Sequence, residues 1–418
     1  MSGTFSLVLR PTGDRDNVVC TYCSSPAVST DSASGSTDSA SSSTDSASSS
    51  TDSASSSTAA DSAADPTGRT EVPRERPCRD SMSESLLEQI VATYMAGPQP
   101  VYRFAWEGGE PTLVGPAFFR KAMQLQKDHR QKGANVSNVI RTNATLIGDE
   151  LAALFAEHNF AVDVTIDGPA DLHDEVHSFE SGGSPHEATM RGVELLRKHG
   201  IEPRASVSVT SANVHAPKRL YRYLKGKGFT SQQYVPRVDF RKDGSPQPWS
   251  VHNGNWGSFL KTLFDTWCAD PQPASIQRFD AIMQRATGGV PAMCSLAFTC
   301  RQRFVIEPDG DVYPCEAYLN PEMKLGNVTT DSLEAMWNSE KFRSLGSLKR
   351  TLAEECESCP YKAYCFGDCP HNRFPGAGNP AEALSDYASP PTSVLCGAWT
   401  EFFSYALSDL EIQAHERI

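Results

Sequence analysis

The stretch Val101-Tyr-Arg-Phe-Ala-Trp-Glu-Gly-Gly-Glu-Pro111 joins a mostly apolar run to a glycine-rich turn, and a helical pattern follows over residues 116–127. This order of extended run, turn and helix is typical of one β-α unit. The pattern recurs along the chain, with extended runs at 5–9, 101–106, 136–141, 161–166, 205–209 and 233–235 and helical patterns at 83–94, 116–127, 148–158, 186–199 and 218–227. Six such units predict an α/β fold with a parallel sheet and outer helices, closed into a partial (β/α)6 TIM-like barrel.

Residues suited to binding and catalysis lie where the predicted strands end. The set comprises Cys20 and Cys23 after the first strand, Gly108, Gly109, Glu110 and Pro111 after the second, Asn143 after the third and Asp167 after the fourth. Parallel sheets with outer helices bind their ligands at the carboxyl ends of the strands. We therefore expect the functional site at this edge of the sheet.

The composition limits the partners of the chain. Of its 418 residues, 38 are basic and 51 acidic, and the resulting net charge of −13 argues against nucleic acid as a partner. The sequence has no apolar run of about 18 residues, the length that a transmembrane helix needs. The N-terminus also lacks the pattern of a secretory signal. We therefore expect a cytoplasmic monomer with no membrane partner.

Residues 29–64 repeat a Ser-Thr-Asp-Ser-Ala-Ser-Ser unit with a seven-residue step. The repeat contains no large apolar side chain, so it cannot form the apolar seam of a coiled coil. A segment with nothing to bury cannot offset the entropy lost on ordering. We predict a disordered insert within the first β-α loop.

The C-terminal part of the chain is rich in cysteine. The run Cys356-Glu-Ser-Cys-Pro-Tyr-Lys-Ala-Tyr-Cys-Phe-Gly-Asp-Cys369 contains four thiols, and Cys294, Cys300, Cys315 and Cys396 lie near it in the sequence. In a reducing compartment, clustered cysteines bind metal more often than they form disulfides. Thiolates select iron–sulfur clusters or zinc, and this number of thiols suffices for two four-thiolate centres.

Taken together, the Cys-x-x-Cys of the first loop, the Gly-Gly-Glu-Pro-Thr run and the cysteine-rich tail resemble the radical S-adenosylmethionine (SAM) enzymes with a SPASM domain. Among these, the chain is most similar to the anaerobic sulfatase-maturating enzymes. The resemblance implies a radical SAM core over residues 1–23 and 75–240, interrupted by the disordered Ser/Thr/Asp-rich insert at 24–74. It further implies a helical linker at 241–290, a SPASM domain with two auxiliary clusters at 291–400 and a C-terminal helix at 401–418.

The resemblance also implies the cofactors. In the family, a Cys-x-x-x-Cys-x-x-Cys loop holds a [4Fe–4S] cluster whose open iron binds SAM, and the Gly-Gly-Glu-Pro run lies against the SAM amino group. The matching positions here are Asp16, Cys20 and Cys23 for the cluster, and Gly108, Gly109, Glu110, Pro111, Asn143 and His177 for SAM. By the same analogy, one auxiliary [4Fe–4S] cluster would bind Cys294, Cys300, Cys315 and Cys369, and the other Cys356, Cys359, Cys365 and Cys396. Zinc is the alternative for these thiols.

The implied reaction is the oxidation of a cysteine or serine in a client sulfatase to Cα-formylglycine. In the maturases, a radical formed from SAM removes a hydrogen from Cβ, and a carboxylate beside the first auxiliary cluster accepts the thiol or hydroxyl proton. That carboxylate is Glu316 in this chain, where the family has Asp. The implied partners are a client sulfatase or other peptide substrate and an electron donor such as flavodoxin or ferredoxin.

The chain departs from the family pattern around the first cluster. Asp16 stands in place of the first cysteine, and a carboxylate is a harder and less electron-donating iron ligand than a thiolate. His177 stands where the family has an Arg that can pair with the SAM carboxylate, and imidazole lacks the bidentate fork of Arg. We therefore expect a radical SAM cluster that is labile and altered in potential.

Three functions are compatible with these residues. The first is a sulfatase maturase, and the second is a related SPASM enzyme that modifies a ribosomally made peptide. The third is a non-catalytic iron–sulfur protein that transfers electrons or scaffolds a complex after the loss of the first cysteine. Iron content separates the third function from the first two, because two clusters give about eight irons per chain and three give about twelve.

Overall fold

The computed structural model describes residues 5–22, 81–241, 243–291 and 293–416. The predicted insert at 24–74 and Cys23 lie outside these residues. Within the described ranges, no helix is both long enough and apolar enough to cross a membrane.

A ten-stranded sheet forms the centre of the described structure. In chain order the strands are β1 (Ser6–Leu9), β2 (Val19–Cys20), β3 (Val101–Trp106), β4 (Asn135–Thr142), β5 (Ala161–Thr165), β6 (His177–Ser178), β7 (Arg204–Val209), β8 (Ser231–Pro236), β9 (Ser275–Ile276), β10 (Arg303–Ile306), β11 (Asp311–Tyr313) and β12 (Gly326–Asn327). The order across the sheet is β12-β11-β10-β1-β3-β4-β5-β7-β8-β9, while β2 and β6 form a separate antiparallel pair. The strands from β10 to β9 in this order are parallel, and β11 and β12 add antiparallel strands at one edge.

Helices follow most of the parallel strands. They are α1 (Glu84–Ala96), α2 (Gly115–His129), α3 (Asp149–Glu157), α4 (Ala170–Val176), α5 (Pro185–Lys198), α6 (Pro217–Gly226), α7 (Asn253–Cys268), α8 (Gln277–Ala286), α9 (Leu333–Trp337), α10 (Glu340–Leu348), α11 (Glu354–Glu357), α12 (Lys362–Cys365), α13 (Pro380–Ala383) and α14 (Cys396–Glu416). Short 3-10 helices occur at Pro111–Val114, Cys294–Leu296, Glu316–Tyr318, Pro321–Met323, Pro370–Asn372 and Leu384–Asp386.

The two faces of the sheet differ in chemistry. Side chains alternate between the faces of a strand, and on β5 the apolar Val162 and Val164 are buried while Asp163 between them is only partly buried. The apolar face packs against the helices, as where Trp106 meets the ring of Phe119 at 5.5 Å between ring centres. We call the opposite face, which carries Asp163, the inner face.

The predicted α/β fold is confirmed, and the six predicted strands lie within two residues of the observed ones. β10 and β11 pair as an antiparallel hairpin. One strand pairing could not be predicted from the sequence. β10 lies parallel to β1 and next to it, with Ser6 opposite Arg303 and Leu9 opposite Ile306. The cysteine-rich part therefore extends the sheet of the core, and β1 is an internal strand. The last helix begins at Cys396, ahead of the boundary expected at 401.

Candidate functional site

Two loops at the carboxyl edge of the sheet are joined by backbone hydrogen bonds. Gly109 N donates to Gly13 O and Glu110 N donates to Arg15 O, each at 2.8 Å. A Cβ atom on Gly109 would lie 1.9 Å from the Arg15 carbonyl oxygen, which is far inside van der Waals contact. Gly108 has φ +126°, and a Cβ atom there would lie 2.7 Å from Gly13 O. The glycine pair is therefore required by the close approach of the two loops.

Glu110 ties the glycine loop to the end of β4. Its Oε1 accepts hydrogen bonds from Thr112 N at 2.9 Å, Thr112 Oγ1 at 2.5 Å and Thr142 Oγ1 at 2.7 Å, and Oε2 accepts from Asn143 N at 2.7 Å. Three of these donors reach Oε1 and one reaches Oε2, so Oε2 keeps an acceptor position. Burial, followed by the charge of Asp16, raises the pKa of Glu110 to about 7. These hydrogen bonds fix the glycine loop, and the expected contact of Glu110 with SAM stays a prediction.

Asp16 lies beside Asn143, so the fold brings two of the expected site residues together. Asp16 Oδ1 accepts from Val18 N at 2.9 Å and from Asn143 Nδ2 at 3.0 Å. Burial raises the pKa of Asp16 to about 6, although these hydrogen bonds oppose the rise. Cys20 lies nearby in sequence, buried in β2. Asp16 is thus held by the protein at the position where the family supplies a thiolate.

His177 contacts two side chains of the protein. Its Nε2 lies 2.9 Å from Asp167 Oδ2 and 3.2 Å from the hydroxyl of Tyr22. Asp167 is fully buried, and its Oδ1 accepts from Ser208 N at 2.7 Å. Burial would raise the pKa of Asp167, but the hydrogen bond and charge of His177 outweigh it and lower the pKa. His177 therefore compensates a buried carboxylate of the protein, and its expected contact with the SAM carboxylate stays a prediction.

Tyr22 is a residue of this site that the sequence analysis missed. Its hydroxyl donates a short hydrogen bond to Asp167 Oδ2, and the Arg237 guanidinium lies 5.5 Å from the centre of its ring. Tyr22 could have been noticed because it lies inside the Cys-x-x-Cys motif. Arg237 follows β8 without any motif around it, so only the sheet order places it here.

The first set of expected cluster ligands, Cys294, Cys300, Cys315 and Cys369, forms one group in space, which we call group I. Burial raises the pKa of Cys300 to about 11, and it raises the pKa of Cys315 and Cys369 still further. Neighbouring thiols add to these shifts. The thiol of Cys294 raises the pKa of the other three cysteines. Cys369 likewise raises the pKa of Cys315, and Cys300 raises that of Cys369.

The second set, Cys356, Cys359, Cys365 and Cys396, forms a separate group, which we call group II. Burial, the charge of Asp368 and the thiols of Cys396 and Cys356 together raise the pKa of Cys365 to about 12. The pKa of Cys396 is raised by burial and then by Cys356 and Cys359. Where neighbouring thiols raise the pKa of a cysteine, those thiols belong to the same group. This agrees with the division that the family analogy implies, which stays a prediction.

Both groups fit a thiolate-bound cluster. Buried thiols that raise one another's pKa are uncharged when alone, and a cationic iron core is what would stabilise them as thiolates. Among the described residues, no three His, Cys, Asp or Glu side chains come close enough to hold a single metal ion. A [4Fe–4S] cluster binds one thiolate at each iron and so spreads its ligands more widely than one ion does.

Glu316 lies between group I and the inner face of the sheet. Cys315 Sγ lies 3.8 Å from Glu316 Oε2, and Arg303 Nη1 lies 3.6 Å from Glu316 Oε1. Burial would raise the pKa of Glu316, but the charges of Arg303, Arg141 and Arg10 lower it below its ordinary value. The carboxylate is therefore ionised at neutral pH and able to accept a proton.

A row of alternating charges crosses the inner face beside Glu316. The strand registers place it in the order Glu307, Arg10, Glu107, Arg141, Asp163 and Arg204. Three ion pairs link the row, with N–O distances of 2.5 Å for Arg10–Glu307, 3.0 Å for Arg141–Glu107 and 2.6 Å for Arg204–Asp163. Paired charges avoid most of the penalty of burying single ones. The inner face is thus polar and electrically balanced before Glu316 adds its own charge.

A cavity of about 420 Å³ opens next to the last pair of this row. Its walls combine Asp163 and Arg204 with amide and hydroxyl side chains, namely Ser231, Gln232, Gln233, Ser275, Gln277 and Gln284. Amides and hydroxyls both donate and accept hydrogen bonds, which suits the polar groups of a peptide.

The amino-acid sequence matches two family models. Residues 17–215 match the radical SAM superfamily, and residues 294–360 match the SPASM family, an iron–sulfur cluster-binding domain.

Two curated relatives cover most of the chain. The serine-type anaerobic sulfatase-maturating enzyme of Bacteroides thetaiotaomicron is 33% identical over 353 residues, which span 80% of this chain and 83% of the relative. The cysteine-type anaerobic sulfatase-maturating enzyme of Clostridium perfringens is 30% identical over 333 residues, or 79% of this chain and 88% of the relative.

Solved structures agree with the sequence matches. Native anSMEcpe with bound AdoMet superimposes with a TM-score of 0.80 at 26% identity, covering 98% of this chain and 99% of that chain. The same protein with bound AdoMet and the Cp18Cys peptide gives a TM-score of 0.80 at 26% identity, with coverage of 99% and 100%. Fold, motif order and sequence similarity thus agree, and the chain belongs to the anaerobic sulfatase-maturating enzymes, which are radical SAM oxidoreductases with a SPASM iron–sulfur domain.

Proposed function

We propose that this chain oxidises a cysteine or serine of a client sulfatase to Cα-formylglycine. The observation that carries the proposal is the position of Glu316, an ionised carboxylate between group I and the polar inner face. The relatives include both serine-type and cysteine-type enzymes at similar identity, so both residues are candidate targets. The client, flavodoxin or ferredoxin as the electron donor, the monomeric state and the cytoplasmic location belong to the same proposal.

The radical SAM site would lie at the two joined loops. When bound, SAM and a reduced [4Fe–4S] cluster supply a carbon radical that can remove a Cβ hydrogen from the client. Asp16, Cys20 and Cys23 are the proposed ligands of that cluster. The proposed SAM-binding residues are Gly108, Gly109, Glu110, Pro111, Asn143 and His177. Glu110 and His177 also hold the surrounding loops through the hydrogen bonds described above.

Groups I and II are the proposed ligand sets of two auxiliary [4Fe–4S] clusters. Each group supplies four thiols, and full thiolate ligation leaves no iron open to substrate, which suits electron transfer. Glu316 is the proposed catalytic base. It accepts the proton of the client thiol or hydroxyl as that group is oxidised, and the nearby arginines hold the carboxylate in its ionised form.

The client segment would lie along the inner face. The cavity beside Asp163 and Arg204 offers donors and acceptors for the polar groups of an extended peptide. The structure of the related protein with a bound peptide supports this class of substrate. The test is anaerobic incubation of the reconstituted chain with SAM, a reductant and sulfatase-derived peptides that carry cysteine or serine at the target position.

A second candidate, an electron-transfer protein without radical activity, is favoured by Asp16. Its carboxylate already accepts two hydrogen bonds from the protein, and a cluster with only two thiolates binds less firmly. Iron analysis separates the candidates. A chain that holds about eight irons and cleaves no SAM would be an electron-transfer protein, whereas an active maturase needs about twelve.

Gly109→Ala is expected to weaken SAM binding at least about tenfold and to destabilise the fold by about 1–3 kcal/mol. The added methyl group would lie 1.9 Å from Arg15 O, so the two joined loops must separate. Equilibrium dialysis of SAM and thermal unfolding measure the two effects. Gly148→Ala is the matched control, because a Cβ atom there meets nothing within 4 Å. Equal SAM affinity in the two variants would refute a role of this loop contact in binding.

A further inference from the structure

Lys349 is a fully buried lysine that directly follows α10 and that the reaction described above does not use. Its Nζ donates to Ser295 O at 2.8 Å, to Phe366 O at 3.3 Å and, at shorter distance, to Asp368 O. Three carbonyl acceptors need three N–H donors, which the ammonium form of lysine has and the neutral amine lacks. The contacts therefore describe a buried positive charge.

The three carbonyls belong to loops that carry both groups of cysteines. Ser295 follows Cys294 of group I, and Phe366 follows Cys365 of group II. Asp368 directly precedes Cys369 of group I. One side chain thus joins the two cluster-binding loops at a point between the groups. Its charge acts on thiols of both, lowering the pKa of Cys300 in group I and of Cys365 in group II against the larger effect of burial.

Two arginines surround this position in a similar way. Arg373, only 1% exposed, donates to Leu348 O and Thr351 O on either side of Lys349, and it interacts electrostatically with Cys300 and Cys356. Arg278 stacks on Trp399 at 4.5 Å, and its charge interacts with Cys294 of group I and Cys365 of group II. Lys349 differs from both because its donors reach the cluster loops themselves.

We propose that Lys349 is a positioning residue shared by the two auxiliary clusters, which fixes their loops against each other and raises the reduction potential of both. The proposal rests on the proposed function, since it assumes a cluster in each group. A cluster with four thiolates is anionic and gains negative charge on reduction. A buried cation beside it favours the reduced form, and net charge and hydrogen bonding near the sulfurs are known to set such potentials.

The experiment is an EPR-monitored redox titration of the full chain reconstituted with iron and sulfide, with iron content measured on the same samples. Lys349→Met removes the charge and the donors, Lys349→Gln keeps two donors without the charge, and Lys349→Arg keeps the charge. Lys341→Met is the matched control. Lys341 lies on α10 and also donates to a backbone carbonyl, that of Lys324 at 3.0 Å, but not to a cluster loop.

We expect Lys349→Met and Lys349→Gln to lower the midpoint potentials of both auxiliary clusters. A tenfold loss in the equilibrium constant of reduction corresponds to about 59 mV for a one-electron couple. Lys349→Arg and Lys341→Met should keep the native potentials. Full iron content with unchanged potentials in Lys349→Gln would overturn the proposal, as would loss of iron with a native potential in the cluster that is retained. A native chain that binds no auxiliary iron would instead refute the proposed function.

Discussion

Glu316→Gln is expected to lower the rate of formylglycine formation by about 10²–10⁴-fold, the usual contribution of a positioned general base. Gln preserves the size of the side chain but cannot take up a proton. Because Glu316 is not a cluster ligand in this account, the variant should retain the iron content of the native chain. Its SAM cleavage in the absence of peptide should also stay at the native rate. Product is measured by mass spectrometry of the client peptide.

Glu322→Gln is the matched control for this variant. Glu322 lies in the next 3-10 helix, Pro321–Met323, and is exposed, away from the inner face. The Glu322→Gln variant should form product at the native rate. If Glu316→Gln forms formylglycine at the native rate, another group accepts the proton and the assignment of Glu316 is wrong. If it loses iron instead, Glu316 acts through the cluster site beside Cys315 and not as a base.

Asp16→Cys is expected to retain about twelve irons per chain more firmly than the native chain and to raise the rate of SAM cleavage at least about tenfold. The substitution restores a third thiolate to a loop whose partner loop, built around Gly109 and Glu110, is already in place. Thiolate is a softer and more electron-donating iron ligand than carboxylate, so the cluster should also survive longer after transfer to iron-free buffer. Iron analysis and a SAM cleavage assay measure these effects under anaerobic conditions.

Asp16→Asn is the companion variant, because it keeps the shape of Asp16 and removes the charge. The amide is a poorer iron ligand, so the iron content should fall to about eight and SAM cleavage should be lost. The expected order is Asp16→Cys, then the native chain, then Asp16→Asn. Identical iron content in all three would show that position 16 contributes no ligand.

The strands and helices could be predicted because their signals are local. On β3 the buried side chains of Tyr102, Phe104 and Trp106 alternate with less buried residues, as expected of a strand with one face packed against helices. The candidate site could be located because Gly108 to Pro111 follows this strand and ligands bind at strand ends. The division of the eight cysteines came from the family resemblance, since spacing alone allows many pairings.

Features that depend on long-range register could not be predicted. The parallel pairing of Ser6–Leu9 with Arg303–Ile306 joins two strands that are far apart in the sequence, and no local pattern encodes it. The alternating charge row follows from that register, because Arg10 meets Glu307 only when β1 and β10 are neighbours. The position of Lys349 could not be predicted for the same reason. A lone lysine is usually exposed, and its burial between two cluster loops appears only in the folded chain.

Mass spectrometry of client peptides tests most directly whether the chain matures sulfatases. The native chain, fully reconstituted with iron and sulfide, is incubated anaerobically with SAM, a reductant and a cysteine- or serine-containing sulfatase peptide. We expect formylglycine in at least one of the two peptides, together with cleavage of SAM. Both peptides recovered unchanged from a preparation that holds its full complement of iron would contradict it.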